Sequence, residues 1–371
     1  MTEPLDSVLG HLKTLVACRT PNPPREIDAS HEIVSALRAP LEQVGFDVRV
    51  ADHGDGSVSV MAARGRPSIL MNCHVDTVPA APSWERDPFE LLVTHDRAIG
   101  LGACDIKGAA ACMLAAAERT QGPVALLFTS DEEAGKGRCV RSFAADPEAL
   151  EPFDVVFVAE PTSARAVLEH RGIWTCRGTF TGTAGHASDP RALEDSAVHE
   201  AMRWMHGAMS VAHDKREHEQ YRGLPGIAFN VGRVEGGTKP NMIADEAMVW
   251  WGMRPLPTHD PEALHEVMVA PADASRVVWE PGFHGPTLPA SIGGEPGAAR
   301  AGAARAKAEA LGLSVGEPVN FWTEAALFSA AGADAVVFGP GDIAQAHTAG
   351  EWVALDDLEQ VLEVYMRLMT A

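Results

Sequence analysis

The chain has 371 residues, 46% of them hydrophobic and 22% charged, which is ordinary for a globular protein and enough for a sizeable core in two domains. Its formal net charge of −21 repels phosphate backbones and anionic lipid, so nucleic acid and membrane surfaces are expected to be poor partners. No run of about 18 apolar residues occurs, and the N-terminal MTEPLDSVLGHLKTLVACRT lacks the basic start and continuous apolar stretch of a signal peptide, so the cytoplasm is the expected location.

Residues 5–18 are predicted to form a helix with Leu5, Val8, Leu9, Leu12 and Val16 on one stripe. TPNPPREI is a proline-rich loop, and residues 30–44 predict a second helix. From residue 46 strand and helix patterns alternate: FDVRVAD, SVSVMAAR, SILMNCHVD, a helix over about 107–119, PVALLFTS, a helix over about 137–145, and DVVFVAE. That alternation predicts an α/β fold with a central, mostly parallel sheet flanked by helices.

Near residue 172 the pattern changes. IWTCRGTFTGTAG alternates like a half-exposed strand and is followed by a long helix over roughly 191–218. GIAFNVGRVEGG and AMVWWGMRP read as strands, then comes a helix near 260–270 and the strand RVVWEPGFHG. This order predicts an α+β sandwich able to fold on its own. From about 285 the α/β pattern returns, with a helix near 296–311, VNFWTEAALFSAAG, the strand DAVVFGP and a last helix over 355–369. The expected organisation is a catalytic domain from residues 1–172 plus 285–371, with residues 173–284 inserted as a second domain.

Polar residues that could bind metal stand where apolar runs end. SILMNCHVD ends at His74 and Asp76, VALLFTSDEE at Asp131, Glu132 and Glu133, and DVVFVAE at Glu160; DAVVFGPG leads to His347, and the turn GLGACDIKG carries Asp105. Ligands in open α/β sheets bind outside the carboxyl ends of the strands, where a buried carboxylate or imidazole needs a partner. Singly, each residue has a plain alternative: Asp105 as a helix cap, the acidic triplet as a solvated loop, Glu160 as a strand end facing water, His347 as a loop histidine. Together they suggest a site for one or two divalent metals. His74 and Asp76 share a strand face, so the carboxylate could orient the ring of a ligating histidine. One glutamate of the triplet could bind metal while its neighbour acts as general base.

Cysteines at 18, 73, 104, 112, 139 and 176 show no CxxC spacing and suit a reducing compartment. Cys73 and Cys104 adjoin candidate ligands, and a thiolate ligand is the less favoured alternative. His199, His206 and His213 recur every seven residues on the long helix, a rise of about 10.5 Å, too far apart to share an ion.

The series HVDTVP, GLGACDIKG, TSDEEAG, AEPT, GHASDP and GPGDIAQAH resembles, in order and approximate spacing over nearly the whole chain, the co-catalytic metallopeptidase family of acetylornithine deacetylases, succinyl-diaminopimelate desuccinylases and aminoacylases. SWERDPF, GLG and FWTEA are closer to the acetylornithine deacetylase branch, and CDIKGAAA with FWTEAALFSA is most similar to its N-acetylcitrulline-specific variants. The resemblance implies His74, Asp105 and Glu160 around one metal and Asp105, Glu133 and His347 around the other. Zinc or cobalt is the expected metal, Glu132 the general base and Asp76 the partner of His74. It also implies a cis peptide after Asp105. The inserted domain is expected to act as lid and dimerisation domain of a homodimer. From it His186 is expected to stabilise the oxyanion, and Asn230 and Arg254 to hold the substrate carboxylate, with Lys239 and Asn241 weaker candidates. The expected reaction is removal of acetate from an Nα-acetyl-L-amino acid, N-acetyl-L-citrulline or N-acetyl-L-ornithine, in arginine biosynthesis. Related amidohydrolases (desuccinylase, aminoacylase, dipeptidase or carboxypeptidase) are the alternative. A third reading, a binding protein without catalysis, is disfavoured because it has no use for Glu132 beside a ligand.

Overall fold

The computed structural model describes residues 3–23, 27–291 and 297–370. Pro24, Arg25 and Glu26 of the proline-rich loop, and residue 296 at the start of the helix expected over 296–311, lie outside the described residues. The chain divides into two compact units. One comprises Met1–Leu168, Ala301–Glu317 and Thr323–Ala371, the other Glu169–Arg300 and Pro318–Trp322. The second unit is wider than the expected 173–284 because flanking segments fasten to it. His170 bridges to Leu288 and Val319, and the buried Arg171 guanidinium donates to the carbonyls of Gly226 and Arg254 and to Asn320 Oδ1.

In the first unit a six-stranded sheet runs in the spatial order Asp47–Asp52, Val58–Arg64, Val124–Thr129, Ile69–His74, Val155–Val158, Ala335–Val337. The first two strands pair antiparallel, and Val58–Arg64 pairs antiparallel with Val124–Thr129. The remaining neighbours are parallel. Ile69–His74, Val124–Thr129 and Val155–Val158 are buried at every position, as parallel strands covered on both faces must be. Their registers set His74 opposite Thr129 and Asn72 opposite Val158, so three carboxyl ends lie side by side. The helix Gly108–Arg119 is buried from Gly108 through Ala117. Its alanines allow close approach of the helices Glu3–Ala17 and Leu355–Leu368. A small sheet of Leu92–Val93, Arg97–Ile99 and Trp352–Ala354, too short to register as a sequence pattern, ties the C-terminal segment back to the turn before Asp105.

The second unit is an antiparallel sheet ordered Ala228–Gly236, Glu246–Arg254, Ile173–Thr181, Val277–Gly285. Ile173–Thr181 and Glu246–Arg254 alternate in burial. Their inner face packs through Phe180 and Trp251 onto Trp204 of the helix Ala197–His218 and Met268 of the helix Pro261–Val269. The helix expected over 191–218 is two, Ala192–Asp195 and Ala197–His218, because Ser196 between them is extended at ψ 124°. Among the described residues no helix is long and apolar enough to cross a membrane.

Candidate metal centre and active site

His74 closes its strand almost fully buried. Its Nδ1 lies 3.1 Å from the Asp76 carbonyl and 3.5 Å from Asp76 Oδ1. A carbonyl can only accept, so that nitrogen carries the proton and the Nε2 lone pair points the other way. There Nε2 meets Asp105 Oδ1 at 3.3 Å and Glu160 Oε1 at 3.9 Å. Asp76 has a second contact that sequence did not reveal: its Oδ2 accepts the backbone N–H of Glu133 at 3.0 Å.

Asp105 sits in the irregular turn Ala103–Lys107, with non-helical backbone at Asp105 and Ile106 and a cis peptide between them. Gly102 precedes the turn at φ 78°, and a Cβ there would stand 2.8 Å from Thr77 Cγ2. The buried Asp105 carboxylate divides its oxygens: Oδ1 faces His74 and Oδ2 lies 3.3 Å from His347 Nε2. His347 Nε2 also lies 2.9 Å from Glu133 Oε1. The loop carrying His347 passes close to this turn at Gly341, where a Cβ would stand 2.6 Å from Cys104 Sγ. His347 itself is at φ 60°, a conformation that residues with side chains seldom adopt.

Two groups result, His74–Asp105–Glu160 and Asp105–Glu133–His347, each with its donor atoms within 4.8 Å of one another. A tetrahedral ion with bonds of about 2.0–2.2 Å spaces its ligands roughly 3.3–3.6 Å apart, and the measured separations of 2.9–3.9 Å bracket that range. Asp105 Oδ1, on the side of His74 and Glu160, is buried without a hydrogen-bond partner, as an oxygen offered to an ion there should be. The residues therefore fit one or two divalent cations.

The electrostatics point the same way. Burial, then the Asp105 charge, lifts the Glu160 carboxyl well above its ordinary range. Burial, with Glu133 and Asp76, lifts Glu132 likewise. Burial opposes ionisation of Asp105 too, but the imidazoles of His347 and His74 outweigh it and hold that carboxyl low. Burial also disfavours the charged form of His74, but Asp105 and Asp76 outweigh it and raise the ring well above its usual value. His347 is pushed up to about 10 by Asp105 and Glu133. Metal-free, these groups hold protons between them, and a bound cation would take the place of those protons.

Cys73 and Cys104 are buried thiols, raised far above their ordinary value chiefly by burial. Cys73 Sγ donates to the carbonyls of His74 and Ile106, and Cys104 Sγ to that of Asp342. Neither sulfur enters a donor group among the described residues. His199, His206 and His213 enter neither donor group among the described residues. His213 instead pairs with Glu217 at 3.2 Å.

The remaining expected residues belong to the second unit. His186 is exposed on the short strand Gly185–His186, its Nδ1 2.8 Å from Ser188 Oγ. Asn230 and Arg254 lie on adjacent strands and line one cavity of about 670 Å³ together with Trp250, Arg177 and Glu280. Lys239 and Asn241 are exposed, and their backbone carbonyls accept from Met242 and Ala187.

Three buried charged residues of the first unit, Lys107, Glu324 and Glu351, were not singled out from sequence. Glu324 Oε2 accepts from Thr129 Oγ1 at 2.8 Å, while its Oε1 is buried without a partner. Lys107 Nζ donates to the Cys18 carbonyl. Glu351 and Lys107 adjoin motifs already in view, but an acid before an apolar strand or a lysine opening a helix is usually solvated, so sequence carried no signal of their burial.

A mostly parallel sheet whose strand ends present imidazoles and carboxylates spaced for divalent ions suits a metal-dependent hydrolase. The chain belongs to peptidase family M20/M25/M40, which its residues 70–371 match. It is 50% identical over 370 residues to the N-acetyl-L-citrulline deacetylase of Xanthomonas campestris pv. campestris, covering 100% of this chain and 99% of the relative. The family and this deacetylase relative make the chain a metal-dependent amidohydrolase. It is 31% identical over 390 residues to the acetylornithine deacetylase of Myxococcus xanthus, covering 99% and 98%. The M20 family metallo-carboxypeptidase Sso-CP2 of Sulfolobus solfataricus shares the fold at a TM-score of 0.70 and 18% identity, over 100% of this chain and 99% of that one.

Proposed function

We propose that the protein hydrolyses the amide of an Nα-acetyl-L-amino acid, N-acetyl-L-citrulline ahead of N-acetyl-L-ornithine, releasing acetate in a step of arginine biosynthesis. The substrate assignment rests on the 50% identity over essentially the full length of the Xanthomonas deacetylase. The observation that carries the chemistry is Asp105, whose two oxygens face two different imidazoles. In this reading His74, Asp105 and Glu160 hold one divalent ion and Asp105, Glu133 and His347 the other. Zinc or cobalt suits this imidazole and carboxylate set. When bound, the ions supply Lewis acidity that polarises the acetyl carbonyl and makes water a better acid.

Glu132 accepts a proton from the attacking water and passes it to the α-nitrogen as the C–N bond breaks, leaving acetate and a free amine. Asp76 keeps the His74 ring oriented and steadies the backbone at Glu133. His186 donates to the developing oxyanion, and Arg254, with Asn230, grips the substrate carboxylate through its guanidinium fork. Supporting that pair is the cavity they share. The assembly proposed is a cytoplasmic homodimer with the second unit as lid. Met202 and Met209, exposed a heptad apart on the helix Ala197–His218, offer apolar surface for the pairing.

The test compares kcat/KM for acetate release from N-acetyl-L-citrulline and N-acetyl-L-ornithine with hydrolysis of an N-succinyl substrate and a dipeptide panel, before and after chelation. Acetyl substrates should lead, and chelator should abolish turnover. Preference for dipeptides would move the assignment to a peptidase, and no release from any acyl amino acid would overturn it.

A further inference from the structure

Glu351 lies four residues after His347 and is buried, 1% exposed. Its backbone is fixed by the small sheet: its carbonyl accepts from Gly100 N at 3.0 Å, and Trp352 beside it pairs with Ile99. Its carboxylate reaches into the turn that bears Asp105. Oε2 accepts from Gly102 N at 3.0 Å, and Oε1 accepts from both Cys104 N and Asp105 N at 2.9 Å. Three backbone amides of one turn thus converge on one side chain. Below the same turn the buried Lys107 ammonium donates to the Cys18 carbonyl. The helix Leu355–Leu368 anchors the other end of the His347 loop, where Asp357 Oδ2 accepts from Gly341 N at 3.2 Å.

We infer that Glu351 is a positioning residue for the cation held by Asp105, Glu133 and His347: it locks the turn carrying Asp105 to the loop carrying His347 before any ion arrives. The inference rests on the metal reading above. The backbone leaves helical φ/ψ at Asp105 and Ile106, and the amides of Gly102, Cys104 and Asp105 find their acceptor in Glu351. A carboxylate supplies four lone-pair directions, enough for three donors. A glutamine does not: its carbonyl serves Cys104 and Asp105, but its NH2 then meets the Gly102 N–H, donor against donor. The clamp therefore asks for glutamate by acceptor count.

The experiment titrates Co2+ into metal-free wild type, Glu351→Gln and, as a control for general destabilisation, Val361→Ala in the core of the last helix, using a competing chromogenic chelator and the visible spectrum of bound cobalt. Outer groups that orient ligands typically matter by about 10–100-fold in affinity. Glu351→Gln should weaken the Asp105–Glu133–His347 site by that factor and alter its visible bands, with a smaller change at the His74 site that shares Asp105, whereas Val361→Ala should lower the melting temperature and leave both sites intact. Wild-type affinity at both sites in Glu351→Gln, or an equal loss in Val361→Ala, would overturn the clamp. Failure of wild type itself to bind cobalt would instead remove the metal reading. A second measurement needs no variant: amide exchange at Gly102, Cys104 and Asp105 in wild type. These amides should be protected in metal-free and loaded protein alike, and protection only after loading would refute locking in advance.

Discussion

Asp76 joins the two donor groups, and paired substitutions there separate what its charge does from what its hydrogen bond does. The carboxylate lies 3.5 Å from His74 Nδ1 and accepts from Glu133 N at 3.0 Å. The shorter contact to His74, 3.1 Å, is the backbone carbonyl of residue 76, which survives any substitution. The tautomer of His74 should therefore persist in Asp76→Asn and Asp76→Ala. Asp76→Asn keeps an acceptor for Glu133 N–H but removes the charge that supports the imidazole and turns an NH2 toward its Nδ1–H. Loss of such a partner typically reduces activity or metal affinity by about 10–100-fold, or ~1.4–2.7 kcal/mol. Asp76→Ala also leaves the Glu133 N–H without its acceptor, adding about 1–3 kcal/mol of destabilisation. Acetate-release kinetics, metal stoichiometry and thermal melts of the metal-free proteins read the three effects apart. Both variants should lose kcat while keeping stoichiometric metal at saturation, and Ala should melt below Asn. An Asn variant with wild-type kcat, or identical melting of the two, would show that the carboxylate does not act through these contacts.

Glu132→Ala should retain both ions by elemental analysis and lose about 10²–10⁴ in kcat, the usual contribution of a general base; near-normal turnover removes Glu132 from that role. Metal uptake should release protons at neutral pH, since His347, pushed up to about 10, and His74, raised well above its usual value, must both become neutral to ligate. Cobalt affinity should thus rise with pH between about 6 and 9, and calorimetry in buffers of different ionisation enthalpy measures the protons; a pH-independent affinity contradicts the assignment of these imidazoles. Glu324 is pushed up to about 8 by burial, from an ordinary 4.5. The unfolded chain loses that proton first, so metal-free stability should fall as pH climbs from about 4.5 through 8, by ~5 kcal/mol at most from this group. Glu324→Gln should flatten that fall in denaturant melts; equal slopes in the two proteins would place the titration elsewhere.

Much of the centre was legible because ligands were tethered to strong local signals. Val124–Thr129 is an unbroken apolar run, so the acidic triplet after it stood at a recognisable strand end, and the same logic exposed His74 and Glu160. The unequal reading of the second unit has a local cause as well: Ser196 is a residue type that favours helix starts, but inside a run of continuous helical pattern that signal is masked, and the break lies in its extended backbone. The boundary at 173 missed His170 and Arg171 because their partners, Leu288, Asn320 and the carbonyls of Gly226 and Arg254, are remote in the chain.

Sequence alone named the candidate donors and the strand or turn that carries each, because hydrophobic periodicity and donor type are local properties; their grouping into two sets came from the family resemblance. The resemblance already led to the expectation that Asp105 serves both donor groups; only the tertiary structure decided which oxygen faces His74 and which faces His347, that Asp76 reaches across to Glu133, and that Glu351 accepts from three amides of a distant turn. Those facts depend on ångström-scale distances between segments up to about 250 residues apart, which sheet register and helix packing set together and which no local pattern encodes.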